Sequence, residues 1–192
     1  KFGPAVALRW LVWRDFVNSG RPLIFMIGGT AGSGKSTTAT DLASRLNIVR
    51  TQSTDMLREV MRVLVPRHLQ PILHESSYTA WKKLPHSDDK QMKQEELLID
   101  GYCTQADIMS VAIKAVIKRA LRENVSLILE GVHVHPAYVE SLVRSNDAVV
   151  IPVMLGVLKK KKLQRMIRGR STRVPSSPIS ACRPGLGPSR LW

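Results

Sequence analysis

Cysteine is nearly missing from this chain: Cys103 and Cys182 are the only two in 192 residues. They stand far apart in dissimilar surroundings, which argues against a disulfide framework and for a reducing, cytoplasmic setting. No apolar run is long enough to span a membrane, and there is no internal repeat. His133 and His135 do not form a His-Glu-x-x-His pair and no cysteine cluster joins them, so a zinc site is not expected. Acidic residues vanish toward the C-terminus: from residue 148 onward there are ten Lys/Arg and no Asp/Glu. The net charge of +14 is therefore concentrated there, and the first 147 residues carry only about +4. Aromatic residues make up 5% of the chain, and none interleaves with the basic segment before Trp192. That pattern favours a basic lid followed by a solvated end over a nucleic-acid interface.

What the chain does have is a glycine-rich turn in an informative place. Gly29, Thr30, Ala31, Gly32, Ser33, Gly34, Lys35 and Ser36 spell Gly-x-x-x-x-Gly-Lys-Ser, with Thr37 next. The apolar run 23–27 precedes it and an unbroken amphipathic stretch, 37–46, follows. Strand, glycine turn and helix is the context of a phosphate-binding loop, in which backbone N–H groups converge at the positive end of a helix. Lys35 is placed to reach the β- and γ-phosphates, and the Ser36 hydroxyl to hold Mg²⁺. A ligand-free turn would need neither residue in register. The chain is expected to bind a nucleoside triphosphate.

Around this loop, strands alternate with helices. Residues 5–17 read as a helix carrying Trp10, Trp13 and Phe16, and residues 23–27, 48–52, 125–129 and 148–155 read as strands. A helix is expected after Thr54 or Asp55 as cap, ending before Pro66. A long one fills about 90–124, with a possible kink at Gly101 and a stripe of Met109, Ile113, Val116, Ile117 and Ala120. Further helices are expected over 136–144 and, strongly basic, over 158–168. The pattern implies an α/β fold: a parallel sheet with helices on both faces. The expected organisation is an N-terminal helical segment (1–20), one nucleotide-binding domain (21–175) and an irregular Ser/Pro/Gly-rich tail (176–192).

Several polar residues suit the chemistry of such a fold. Glu130 closes the apolar run 127–129, where a carboxylate beside the loop strand can support a metal's water shell. Asp55, Arg58 and Arg62 occupy i, i+3 and i+7 of one helix, on one face near the carboxyl edge of the sheet. Asp55 could accept a proton from an attacking hydroxyl while the arginines clamp an anion; equally, Asp55 could cap the helix and pair with Arg58. The segment 74–81, His-Glu-Ser-Ser-Tyr-Thr-Ala-Trp, reads either as a site-lining loop or as a packed Tyr/Trp loop. Arg165, Arg168, Arg170 and Arg173 suit a lid closing over phosphates, or a solvated basic helix. Cys103 reads as a small core residue.

Taken together, residues 27–37, 53–62, 73–81 and 129–136 resemble the 2-phosphoglycerate kinase family of P-loop kinases. The first block is common to many kinases; the second and third are more specific. The resemblance implies transfer of the ATP γ-phosphoryl to the hydroxyl of a small phosphorylated acid. It implies that Lys35 and Ser36 serve the triphosphate and Mg²⁺, with Glu130 supporting the metal. Asp55 becomes the base or hydroxyl-orienting group, Arg58, Arg62 and His133 substrate contacts, and Arg168, Arg170 and Arg173 the lid. After Pro175 the family pattern would continue into a helix and a strand, so this chain is expected to lack the last strand of the sheet. Two other readings remain at this stage. One is another small-metabolite kinase, for a nucleoside or a sugar; the other is a nucleotide-binding regulatory protein without catalysis.

Overall fold

The computed structural model describes residues 3–87, 92–135 and 147–157. Helix α1 (Pro4–Asn18) leads into β1 (Leu23–Gly29), α2 (Lys35–Leu46), β2 (Arg50–Ser53) and α3 (Thr54–Leu64). Two short 3₁₀ turns, Pro71–His74 and Ala80–Lys83, precede α4 (Gln94–Arg122), β3 (Leu127–Gly131) and β4 (Val149–Leu155). The helices expected over 136–144 and 158–168, the arginines Arg165, Arg168, Arg170 and Arg173, and the tail 176–192 lie outside the described residues.

The four strands form one parallel sheet in the order β2-β3-β1-β4. Alternate side chains of β1, β3 and β4 supply the two cores. Ile24, Met26, Leu127 and Leu129 meet Met109, Ile113, Ile117 and Ala120 of α4, with Leu57 and Met61 of α3 at the margin. Leu23, Phe25, Ile27 and Ile128 meet Ala39 of α2, flanked by Leu42 and Leu46. A strand buried on both faces reads as an unbroken apolar run, which is what residues 23–27 are. α1 contributes little to either core: it buries none of its residues fully, and only Phe16 packs partly against the second cluster.

Two strands begin later than the sequence pattern suggests, for one shared reason. Asn47 and Asn124 adopt left-handed conformations, φ 52° and 50°, just past α2 and α4. The following N–H groups then turn back onto the helices, Ile48 N to Ala43 O at 2.9 Å and Val125 N to Ala120 O at 3.0 Å. Ile48 and Val125 thus complete Schellman closures before the strands start. The shift carries Glu130 and Gly131 into β3 itself.

Two other expectations are corrected. α4 runs through Gly101 as a continuous 29-residue helix. Gly101 serves close approach there, since a Cβ would stand 2.5 Å from the Trp81 Cα and 2.8 Å from its Cβ. The cap of α3 is Ser53, whose Oγ accepts from Asp55 N at 3.2 Å, rather than Thr54 or Asp55.

Candidate active site

The site gathers at the carboxyl ends of β1, β3 and β2. Chain order and spatial order diverge there: β1 leads over to β2, and β3 later fills the gap between them. Such a switch point leaves a crevice outside the strand ends. In register, Ile27 pairs with Glu130, Gly28 with Gly131, and Ser53 with Glu130.

Residues 30–34 leave β1 as a tight turn. Gly29 has φ 139°, and a Cβ there would run into the Leu155 carbonyl oxygen of β4. Gly34, φ 92°, is the N-cap of α2, and no side chain caps this helix. Its first turn also holds no acidic residue. The amides at this helix start are therefore left to an anion, and the helix dipole favours one. Lys35 is 6% exposed, and its Nζ donates to Thr30 O at 2.8 Å, folding the ammonium over the loop. Ser33 Oγ is buried without a hydrogen-bond partner.

Ser36 and Glu130, 94 residues apart in the chain, meet: Ser36 Oγ donates to Glu130 Oε1 at 3.1 Å. Glu130 is 7% exposed, and its strand-end position turns the carboxylate toward the start of α2. Two hard oxygen donors fit a magnesium ion that takes its other ligands from phosphate and water. Among the described residues no group of three or more His, Cys, Asp or Glu could hold a metal unaided.

On the other side of Glu130, Gly131 approaches Thr54 at the start of α3. Thr54 is fully buried, and its Oγ1 lies 3.3 Å from His133 Nδ1. His133, also fully buried, meets Gln105 Oε1 through Nε2 at 3.0 Å. Gln105 Nε2 in turn donates to Ile72 O at 2.7 Å and Glu75 O at 2.9 Å. Glu75 O also accepts from Arg58 Nη1 at 3.0 Å. Burial pushes the His133 imidazole down to about 4; the Arg58 guanidinium adds to the shift and Asp55 opposes it.

The structure thus brings Asp55, Arg58 and His133 into one neighbourhood. Asp55 is exposed in the first turn of α3. Arg58 turns to Glu75 rather than to Asp55. Arg62, a turn further on, lies in a surface ion pair with Glu59 at 2.8 Å. Both ring nitrogens of His133 are engaged, so it sits behind this surface. Thr54, Gln105 and the Glu75 carbonyl escaped sequence reasoning. One signal was available: Gln105 stands four residues before Met109, extending the apolar stripe of α4 with a polar side chain.

The segment 74–81 both packs and lines. His74 Nε2 lies 2.8 Å from Val65 O, and the Glu75 carboxylate accepts from Arg67 Nη2 and Thr79 Oγ1 at 2.7 and 3.1 Å. Ala80 is buried with Ile72 and Leu84. Ser77 and Tyr78 instead border a cavity of about 430 Å³ that reaches Thr30 and Ala31 and is walled by Leu98, Tyr102 and Met154. None of its lining side chains is charged, so an anion near the loop takes its counter-charge from elsewhere. No helix among the described residues is long and apolar enough to cross a membrane.

No protein-family model matches the chain. Curated proteins do. The 2-phosphoglycerate kinase of Methanothermobacter thermautotrophicus is 40% identical over 151 residues, covering 78% of this chain and 48% of the relative. That of Methanocaldococcus jannaschii is 39% identical over 173 residues, 89% of this chain and 53% of the relative. That of Methanopyrus kandleri is 34% identical over 171 residues, 88% of this chain and 50% of the relative. The chain spans about half the length of the curated relatives it matches.

Proposed function

This chain is homologous to archaeal 2-phosphoglycerate kinases over most of its length, and we propose that it is an ATP-dependent kinase acting on 2-phosphoglycerate or a close phosphorylated hydroxy acid. The observation that carries this reading is the meeting of Ser36 Oγ and Glu130 Oε1 at 3.1 Å beside an uncapped helix start. That pairing has a purpose if the loop holds a triphosphate and its cation. The unpartnered Ser33 Oγ and the anion-ready N-terminus of α2 support the same reading.

In this reading the residues 29–37 hold the triphosphate, and Lys35 draws the β- and γ-phosphates into the loop. Ser36, with Glu130 behind it, would hold a magnesium ion, which would supply charge neutralisation at the phosphates. The acceptor hydroxyl lies toward α3. Asp55 orients it and takes its proton as the oxygen bonds to the γ-phosphorus. The bond from phosphorus to the bridging oxygen breaks, leaving ADP and a bisphosphorylated acid. Arg58 binds the acceptor's anionic groups, and Arg62 extends the cationic face once it leaves Glu59. His133 supports this face from behind as a neutral imidazole. Arg168 and Arg173 are assigned to the lid. Such catalysis is positioning plus electrostatic stabilisation, with little covalent work for the protein.

The test is ADP release from Mg-ATP with 2-phosphoglycerate, 3-phosphoglycerate, nucleosides or no acceptor. Release that requires 2-phosphoglycerate supports the reading. Release only with a nucleoside or a sugar replaces the acceptor and keeps the kinase. ATP binding without release under any condition points to a regulatory nucleotide-binding protein.

A further inference from the structure

Gln105 is fully buried, uses every polar atom of its side chain, and has no task in the reaction outlined above. Its orientation is fixed by its neighbours. Nε2 faces two carbonyl oxygens, Ile72 O and Glu75 O. Turning the amide over would set oxygen against oxygen at both. With Oε1 as an acceptor, His133 Nε2 must carry the imidazole proton, and Nδ1 then accepts from the Thr54 hydroxyl. The neutral ring that burial enforces is the form this arrangement needs.

On its other side Gln105 shares an acceptor with Arg58. Glu75 O takes Gln105 Nε2 at 2.9 Å and Arg58 Nη1 at 3.0 Å. Nη1 is on the Cδ side of the guanidinium, so this bond leaves the opposite edge, formed by Nε and Nη2, turned away from Glu75. Arg58 Nε is buried and has no hydrogen-bond partner. The Nε–Nη2 edge is the one that grips a carboxylate or phosphate with two parallel bonds. Its aim depends on where the Glu75 carbonyl stands. That carbonyl follows a single 3₁₀ turn, whereas Gln105 projects from a 29-residue helix packed on the sheet.

We propose that Gln105 is a positioning residue for the acceptor site, bracing the Glu75 carbonyl so that Arg58 presents its Nε–Nη2 edge to an anionic group of the substrate. The identity of that anion rests on the kinase reading above; the bracing itself does not.

Two substitutions separate bracing from simple core packing. Gln105→Met keeps the length and loses the amide; Gln105→Asn keeps the amide and falls short of the carbonyls. In ¹⁵N-labelled protein the Arg58 Nε–H resonance, assigned by its loss in Arg58→Lys, should shift or broaden in both variants while the circular dichroism and the KM for ATP hold. In the ADP-release assay Gln105→Met should raise the KM for 2-phosphoglycerate about tenfold with a much smaller change in kcat. Adding it to Arg58→Lys should bring little further rise, as expected of residues acting through one contact. An Arg58 resonance unchanged in both variants overturns the proposal whatever the acceptor. Additive effects on KM overturn it too, and leave Gln105 a general core contact. A perturbed resonance in a protein that does not turn over 2-phosphoglycerate upholds the bracing and removes the acceptor reading instead.

Discussion

Gly131 and Thr54 lie so close that a Cβ on the glycine would fall inside the threonine side chain. The contact joins the strand end that carries Glu130 to the helix start that carries Asp55. Gly131 also has φ 153°, a conformation L side chains avoid. Gly131→Ala should therefore cost about 3 kcal/mol from overpacking and backbone strain together. Thermal unfolding measures it, and adding Thr54→Ala should recover only part of the overpacking, since the Cβ of residue 54 would still stand 2.8 Å from the added methyl. Full recovery in the double variant would show that the backbone angle is not strained.

Lys35 folds over the loop through its bond to Thr30 O. If Lys35 serves the phosphates as proposed, Lys35→Ala should lower kcat about a hundredfold or more, through loss of a charge aimed at the transferring phosphoryl. Steady-state ADP release checks this, with the melting temperature as a control for folding. A loss confined to the KM for ATP would mean that Lys35 binds the nucleotide without favouring the transition state.

Glu130→Gln preserves shape and a possible bond with Ser36 but removes the charge. The Mg²⁺ concentration for half-maximal activity should rise about tenfold or more, with nucleotide binding in the absence of metal unchanged. A magnesium titration at fixed ATP reads both. An unmoved midpoint would take Glu130 out of the metal's surroundings.

His133 gives the fold a pH dependence whose sign follows from its lowered value. The folded ring protonates at about 4, the unfolded one near about 6.5. Between those values the unfolded chain binds the extra proton, so stability rises with pH across that window and is fully present above it. Acidifying from pH 7 to 4 should cost about 3 kcal/mol through this residue alone. Denaturant midpoints at successive pH values should fall along that window, and His133→Asn should flatten the curve.

Much of this architecture was legible because two signals are local. Residues 23–27 form an apolar run that only a strand covered on both faces can bury, and the glycines with Lys35 and Ser36 fix the turn after it. Glu130 was legible as a charge ending another such run. The strand starts were misplaced because Asn47 and Asn124 turn the N–H groups of Ile48 and Val125 back onto the preceding helices, a closure that apolar periodicity does not show. Gly101 looked like a helix breaker because its reason, the Trp81 backbone, lies 20 residues away in sequence. The buried network was hidden for the same cause. Nothing near Gln105 in sequence announces His133, Thr54 or a loop carbonyl as its partners.

The pairing of Ser53 with Glu130, and of Glu130 with Ile27, sets three elements of the site in a single row across the sheet. Neighbouring parallel strands stand about 4.8 Å apart, so the foot of the nucleotide loop and the cap of α3 are held about 10 Å from one another by backbone hydrogen bonds. The sheet acts as a ruler between the glycine-rich loop and the start of α3. Inserting or deleting one residue in β3 would leave that spacing intact yet turn the Glu130 side chain to the opposite face, because side chains alternate along a strand. The span between loop and helix start is therefore robust to sequence change, and the carboxylate midway along it is not.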